Sequence, residues 1–289
     1  MHDAPEMQWT RRDLELWAGL RVALFLAGPQ QPGTTPVVFV HGLGHWTEAA
    51  WNSVAIEISR EQRVVGFDLP GFGESSKPDV RYDLTFFTRS LEALIERLGT
   101  PRVALVGHSL GGLIAASYAA EVPERVALLT LIGPAGFRST ARTWMYIAGS
   151  GPAAWAFRML PSRHVVRRVL ERATVDPSVI PESVHERAFR YAQDRDYLRA
   201  FARVYSDAVW ELLNVRRLHA RLARYRGPMQ LLWGRQDRYV PIAGLEVARR
   251  VYPHAEVHVL ERSAHLPMIE ESATVVNVLQ RAFSAEPAR

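Results

Sequence analysis

The chain has 289 residues, a formal net charge of +5 and no cysteine. That length suits one large α/β domain or two small ones, and a hydrophobic content of 48% is ample for a core. The missing cysteine excludes a disulfide, a thiolate metal site and a thiol nucleophile.

In chain order, residues 7 to 27 read as two strands, Gln8 to Trp17 and Arg21 to Ala27, with Ala18-Gly19 near the turn. Three strand-and-helix alternations follow: Val37 to Val40 then Glu48 to Arg60, Arg63 to Phe67 then Leu84 to Leu98, and Val103 to Val106 then Ser109 to Glu121. Another apolar strand, Val126 to Ile132, ends in Gly133-Pro134-Ala135-Gly136. Alternation of this kind predicts a mostly parallel sheet with helices on both faces. It stops until Met229, and the intervening stretch is too long for a structureless loop. Leu198, Phe201, Ala202 and Tyr205 fall at helical spacing, as do Leu218, Leu222 and Tyr225. The expected division is therefore a core of residues 1–136 and 227–289 with a helical cap over 137–226. Strands resume at Met229 to Gly234 and Ala255 to Leu260, with Pro241 placed to open a helix between them.

Charge is unevenly placed. From Phe137 to Arg226 there are 17 Arg against 8 Asp and Glu, a net of +9, which leaves −4 for the rest of the chain. A basic segment on an acidic body suits an anionic substrate, an acidic partner or transient contact with a membrane surface, against the plainer reading of arginines on a wet helical face. The N-terminal Met1-His2-Asp3-Ala4-Pro5-Glu6 lacks the basic and apolar regions of a signal peptide. No apolar run approaches the roughly 18 residues of a membrane span, and a cytoplasmic location is the expectation.

The chemistry concentrates at strand ends. Gly107-His108-Ser109-Leu110-Gly111 lies between an apolar strand and a helix of small residues. This is the context of a nucleophile elbow, where bulk on either side of the serine would crowd the turn. Asp237 follows the strand ending at Gly234, and His265 follows the next strand on a loop, giving the order Ser, Asp, His. His254 and His258 precede or lie within that last strand, so neither competes with His265. The loop after Ile132 carries no carboxylate to compete with Asp237, whose plainer role is a helix N-cap. Asp68 reads as a structural residue closing its loop. His41 and His45, with no carboxylate nearby, make a poor metal site, and His41 reads as a brace for the glycine loop.

These motifs resemble those of the α/β-hydrolase fold superfamily, of the cap-bearing kind. The resemblance runs through His41-Gly42-Leu43-Gly44, Asp68-Leu69-Pro70-Gly71-Phe72-Gly73-Glu74-Ser75, the elbow, Trp233-Gly234-Arg235-Gln236-Asp237 and Ser263-Ala264-His265, in the family's order and over roughly residues 36 to 284. It implies a doubly wound α/β sheet and a Ser109–His265–Asp237 triad. The oxyanion would be held by the backbone N–H groups of Leu43 and Leu110, with Gly44 the alternate donor. Neither a cofactor nor a metal is required. Trp46, His108, Trp144, Tyr146, Trp155 and Val240 are candidate pocket residues, and Phe157 and Met159 suit a pocket or a cap core equally.

The activity so implied is hydrolysis of carboxylic esters of small to medium apolar acyl groups, on a small-molecule substrate, with no nucleic-acid partner. The acid motif is also similar to that of meta-cleavage-product hydrolases. Those usually carry an asparagine before the serine and Gly-Pro-Gly in the oxyanion loop, where this chain has His108 and Gly44-His45-Trp46. A cofactor-free haloperoxidase or perhydrolase shares the triad. A ligand receptor or partner-binding switch on the same fold is the non-enzymatic alternative.

Overall fold

The computed structural model describes residues 9–30, 34–137 and 162–285. Its centre is an eight-stranded sheet. The strands are β1 (Thr10–Trp17), β2 (Leu20–Ala27), β3 (Val37–Val40), β4 (Val64–Phe67), β5 (Val103–His108), β6 (Val126–Ile132), β7 (Met229–Gly234) and β8 (Glu256–Leu260). Their spatial order is β1-β2-β4-β3-β5-β6-β7-β8. β1 and β2 form a hairpin, β2 runs antiparallel to β4, and every pairing from β4 to β8 is parallel. The expected mostly parallel, doubly wound sheet is what forms.

Burial on both faces explains why the central strands read as unbroken apolar runs. β3, β4, β5, β6 and β7 are buried along their whole length. Alternate residues serve opposite cores. Val38, Val40, Leu105, Leu129 and Trp233 face one cluster, which α2 (Leu84–Leu98) and α3 (Leu110–Glu121) complete. Val37, Phe39, Val106, Ile132 and Leu232 face the other, against α1 (Thr47–Ile58). There Phe39 stacks on Trp51 at 4.7 Å.

Among the described residues four α-helices lie between β6 and β7: α4 (Arg163–Glu171), α5 (Glu182–Gln193), α6 (Arg195–Leu213) and α7 (Val215–Leu222). Polar side chains start three of them. Ser162 accepts from the Val165 amide, Asp194 from Asp196 and Tyr197, and Asn214 from Arg217, satisfying donors that have no intrahelical acceptor. The two spacings read from sequence divide between α6 and α7, except that Tyr225 lies beyond the end of α7 and donates its hydroxyl to the Pro228 carbonyl. Tyr197, Leu198, Ala200, Val204, Leu218 and Leu222 join the same apolar cluster as the sheet.

After β7 come α8 (Ala243–Val251), then β8, α9 (Pro267–Glu270) and α10 (Ser272–Ala285). Pro241 stands two residues before α8. No helix among the described residues is long and apolar enough to cross a membrane.

Candidate active site

β5 passes into α3 with a single residue between them, and that residue is Ser109. Its φ is 52° and its ψ −116°, and it is the one non-glycine at positive φ among the described residues. Such a conformation persists only where the surroundings impose it. Here the Ser109 amide donates to the Ile132 carbonyl at 3.0 Å, and its own carbonyl accepts from the Leu113 and Ala135 amides at 3.1 and 2.9 Å. The flanking glycines are required by contact. A Cβ on Gly107 would lie 2.5 Å from the Gly111 carbonyl oxygen, and one on Gly111 would lie 2.2 Å from that of Val40.

Asp237 follows β7 and His265 follows β8, so both reach the same carboxyl edge of the sheet as Ser109. The two side chains are buried, and Asp237 Oδ2 faces His265 Nδ1 at 2.8 Å. The other carboxylate oxygen, Oδ1, accepts from the Tyr239 and Val240 amides, each at 2.8 Å. Asp237 is not the N-cap of α8, a place held by Ile242 without a side-chain cap; one of its oxygens holds its own loop and the other faces the imidazole. With a carboxylate on Nδ1, the neutral imidazole carries its proton there and keeps a lone pair on Nε2. Gly133, in the loop after β6, backs onto the pair: a Cβ there would lie 3.2 Å from Asp237 Oδ2.

His108 is bonded to the segment that bears the second histidine. Its Nε2–H donates to the His265 carbonyl at 2.8 Å, and the two rings lie 4.6 Å apart. The glycine loop after β3 is braced in the same manner. His41 Nδ1–H donates to the Gly42 carbonyl at 2.8 Å while Nε2 accepts from the Leu69 amide at 2.9 Å. Asp68 closes the neighbouring turn, with Oδ1 accepting from the Thr47 amide and Oδ2 from the Glu74 amide.

Ser109, His265, Leu43, Gly44 and Leu110 all line one cavity of about 210 Å³. Leu110 is the first residue of α3, so its amide belongs to the first-turn donors with no intrahelical acceptor. Of the expected pocket residues, His108 and Val240 line this cavity. Trp46 does not: its indole packs edge-on against Tyr191 at 5.2 Å, with the Arg187 guanidinium 5.8 Å from its ring. Trp144, Tyr146, Trp155, Phe157 and Met159 lie outside the described residues. The walls that sequence reasoning did not name come from α2 (Leu84, Phe87) and from the helices between β6 and β7 (Leu170, Leu198, Phe201). The helical spacing of Leu198 and Phe201 is the one sequence signal for these walls, and it indicates only a helix. Among the described residues lining the cavity there is no Asp, Glu, Lys or Arg. No three His, Asp or Glu side chains among the described residues converge as a metal site would require.

Burial holds His41, His45 and His108 toward their neutral forms. Burial lowers His41 to about 4 and His45 to about 3, and it lowers His108 well below the usual range, with neighbouring histidines adding to the shift at His45 and His108. Burial raises Asp68 to about 6. The signs are opposite. As pH falls below 6.5 the unfolded histidines take up protons that the folded ones refuse, so stability is lost. Between about pH 6 and 4 folded Asp68 binds a proton that its unfolded form does not, so stability is gained. By pH 5, His41 and His45 each withhold about 2 kcal/mol, against about 1 kcal/mol recovered at Asp68. The expected outcome is a Tm that drops between pH 7 and pH 5 in thermal scans at constant salt. A Tm that holds or rises over that interval would show that these histidines do not carry the acid sensitivity.

Chemistry-bearing side chains gathered beyond the carboxyl ends of parallel strands define a doubly wound α/β protein with its site where that architecture places ligands. The family model for the alpha/beta hydrolase fold matches residues 35–272, and the chain belongs to that family. An uncharacterised protein of Mycobacterium tuberculosis is 26% identical over 281 residues, 93% of this chain and 80% of the relative. A 2-hydroxy-6-oxo-2,4-heptadienoate hydrolase of Pseudomonas putida is 27% identical over 256 residues, 87% of this chain and 90% of the relative. Among solved structures, a bacterial membrane phospholipase A superposes with a TM-score of 0.80 at 25% identity, covering 96% of this chain and 86% of the other. The family and its hydrolase-named relatives support a hydrolase.

Proposed function

We propose that the protein is a serine esterase for apolar acyl groups. The observation that carries this reading is the shared cavity: Ser109 and the Asp237-bonded His265 stand in the wall of a space whose other described walls are mostly apolar and carry no Asp, Glu, Lys or Arg. In the proposed reaction His265 Nε2 takes the proton of Ser109 Oγ as the oxygen attacks the ester carbonyl carbon. Asp237 holds the imidazole tautomer and stabilises the imidazolium that forms. The backbone amides of Leu43 and Leu110, or Gly44 in place of Leu43, hold the tetrahedral oxyanion, each worth about 3 kcal/mol in the transition state. Collapse expels the alcohol, which takes its proton from His265. Water then attacks the acyl-enzyme with His265 again as base. Residues 137–226 act as the cap that sets acyl preference.

The dienoate hydrolase among the relatives keeps C–C bond hydrolysis as the second reading. A dienoate carries a carboxylate, and burying one without a cationic or well-bonded partner is costly. Among the described residues the lining is uncharged, which favours the neutral ester. The deciding experiment offers the enzyme p-nitrophenyl esters of graded chain length beside a vinylogous 1,5-diketone acid, with fluorophosphonate labelling as the control for a competent serine. Turnover of several esters with little cleavage of the diketone acid is expected. Preferential diketone cleavage would establish the second reading, and labelling without turnover would make the protein a receptor.

Chain-length preference offers a further test. Ala192 is buried on α5 and lines the cavity. Ala192→Phe fills that wall and is expected to shift preference toward shorter acyl chains by about tenfold or more in kcat/KM ratio. Acetate turnover should stay within a few-fold. An unchanged profile in a folded variant would place the acyl chain elsewhere.

A further inference from the structure

The arginines of α4 divide between two faces. Arg163 stacks its guanidinium over Phe189 of α5, 4.8 Å from the ring centre, and Arg167 pairs with Glu182 of α5 at 2.6 Å. Both are engaged by α5 at the surface. Val166 and Leu170 turn inward and line the cavity. Besides His164 and Glu171, what remains is Val165, Arg168, Val169 and, at the C-cap, Arg172, spaced i, i+3, i+4 and i+7, which is a single stripe down one side of the helix.

All four are exposed. The ion pairs of α4 among the described residues are those of Arg167, with Glu171 and Glu182, and neither stripe arginine takes part in them. Across from the stripe, Arg238 and Tyr239 complete a shallow groove, with Glu171 its one acidic member. Among the described residues the exposed large hydrophobics are Trp17, Val165, Val169 and Val175. Three of those four therefore lie in one short basic segment, where chance would scatter them.

Two residues, Val169 and Tyr239, line both this groove and the catalytic cavity, and the Tyr239 hydroxyl donates to the Val169 carbonyl at 2.8 Å. The exposed stripe therefore adjoins the site. A helix face that alternates valine with arginine suits one occupant above others: an interface that is apolar beneath and anionic at its surface. Valines enter the acyl boundary while guanidinium groups meet phosphates.

We propose that this face docks the protein on anionic phospholipid surfaces and admits acyl chains from that surface to the cavity. The docking rests on the ester-hydrolase reading for its purpose, but not for its detection. The test uses the full chain, mixed with vesicles of phosphatidylcholine alone or with one third phosphatidylglycerol, and reads partition by co-sedimentation. Each arginine near an anionic surface is worth about fivefold in partition, so the mixed vesicles should hold at least tenfold more protein than the neutral ones, and salt at about 0.5 M should remove most of the difference.

Arg168→Glu and Val165→Asp lie on the stripe and outside the cavity lining. Each is expected to lower partition by about tenfold or more while hydrolysis of a soluble acetate ester stays within twofold. Equal partition to both vesicle types, or none to either, overturns the proposal. So does sensitivity to Arg168→Glu with indifference to Val165→Asp, which marks a patch for a soluble anion or acidic protein. Self-association removed by Val165→Asp makes the face a contact between copies and also overturns it. Ser109→Ala should partition as the wild type does. Docking without any ester turnover by the wild type would overturn the esterase reading and leave this one standing, and turnover without docking would do the reverse.

Discussion

Ser109→Ala is expected to lower kcat for a p-nitrophenyl butyrate by about a millionfold, because a nucleophile and its base act as a unit and neither is effective alone. The more telling companion is Ser109→Gly. Ser109 sits at φ 52°, a conformation that costs a side-chain-bearing residue about 1–3 kcal/mol and costs glycine far less. Glycine should therefore be as inactive as alanine yet raise Tm by a few degrees above it, since about 1 kcal/mol moves Tm by roughly 2–4 °C in a protein of this size. Activity of either variant near the wild-type level would remove Ser109 from the chemistry. A glycine variant that melts below the alanine variant would mean that the turn is not strained.

Asp237→Asn is expected to lower kcat by about ten-thousandfold and to change Tm little. Asparagine keeps one oxygen to accept from the Tyr239 and Val240 amides, as Oδ1 does now. Its amide nitrogen then replaces Oδ2 opposite His265 Nδ1, where it donates instead of accepting and selects the wrong imidazole tautomer. Asp237→Ala loses both functions, so it should be as slow as the asparagine variant and also less stable, by about 1–3 kcal/mol for the amides left without an acceptor. Separate kinetic and thermal measurements on the pair resolve the two oxygens. An asparagine variant within tenfold of wild type in kcat would reduce Asp237 to a loop cap.

Much of this was legible in the sequence because parallel strands buried on both faces announce themselves as apolar runs. β6, β7 and α2 begin and end where their patterns do. The placement of Ser109, Asp237 and His265 at one sheet edge is legible because each follows a strand end marked by glycine or by a loop, and a parallel sheet gathers strand ends at one edge. α10 buries a helical face through Val275, Val276, Val278 and Leu279, but a lone amphipathic helix after the last strand carries neither strand alternation nor a motif that singles it out. The cavity walls were the least accessible. A leucine such as Leu198 at helical spacing reports only that one side of a helix is covered, and nothing local says whether a core or an empty space does the covering. Trp46 illustrates the converse: a tryptophan beside a glycine loop attracts a pocket reading, while Tyr191 and Arg187, far along the chain, supply its real neighbours.

The amide of His265 donates to the Ala173 carbonyl at 2.8 Å, and the hydroxyl of Tyr239, two residues past Asp237, reaches the Val169 carbonyl. The loops that carry His265 and Asp237 are thus each hydrogen-bonded to the segment that follows β6. Chimeras that exchange the stretch between β6 and β7 to borrow another enzyme's substrate range must carry acceptors at both of those places. A graft lacking them would leave the imidazole and its carboxylate to find their own positions, so selectivity and reactivity in this chain are not interchangeable parts.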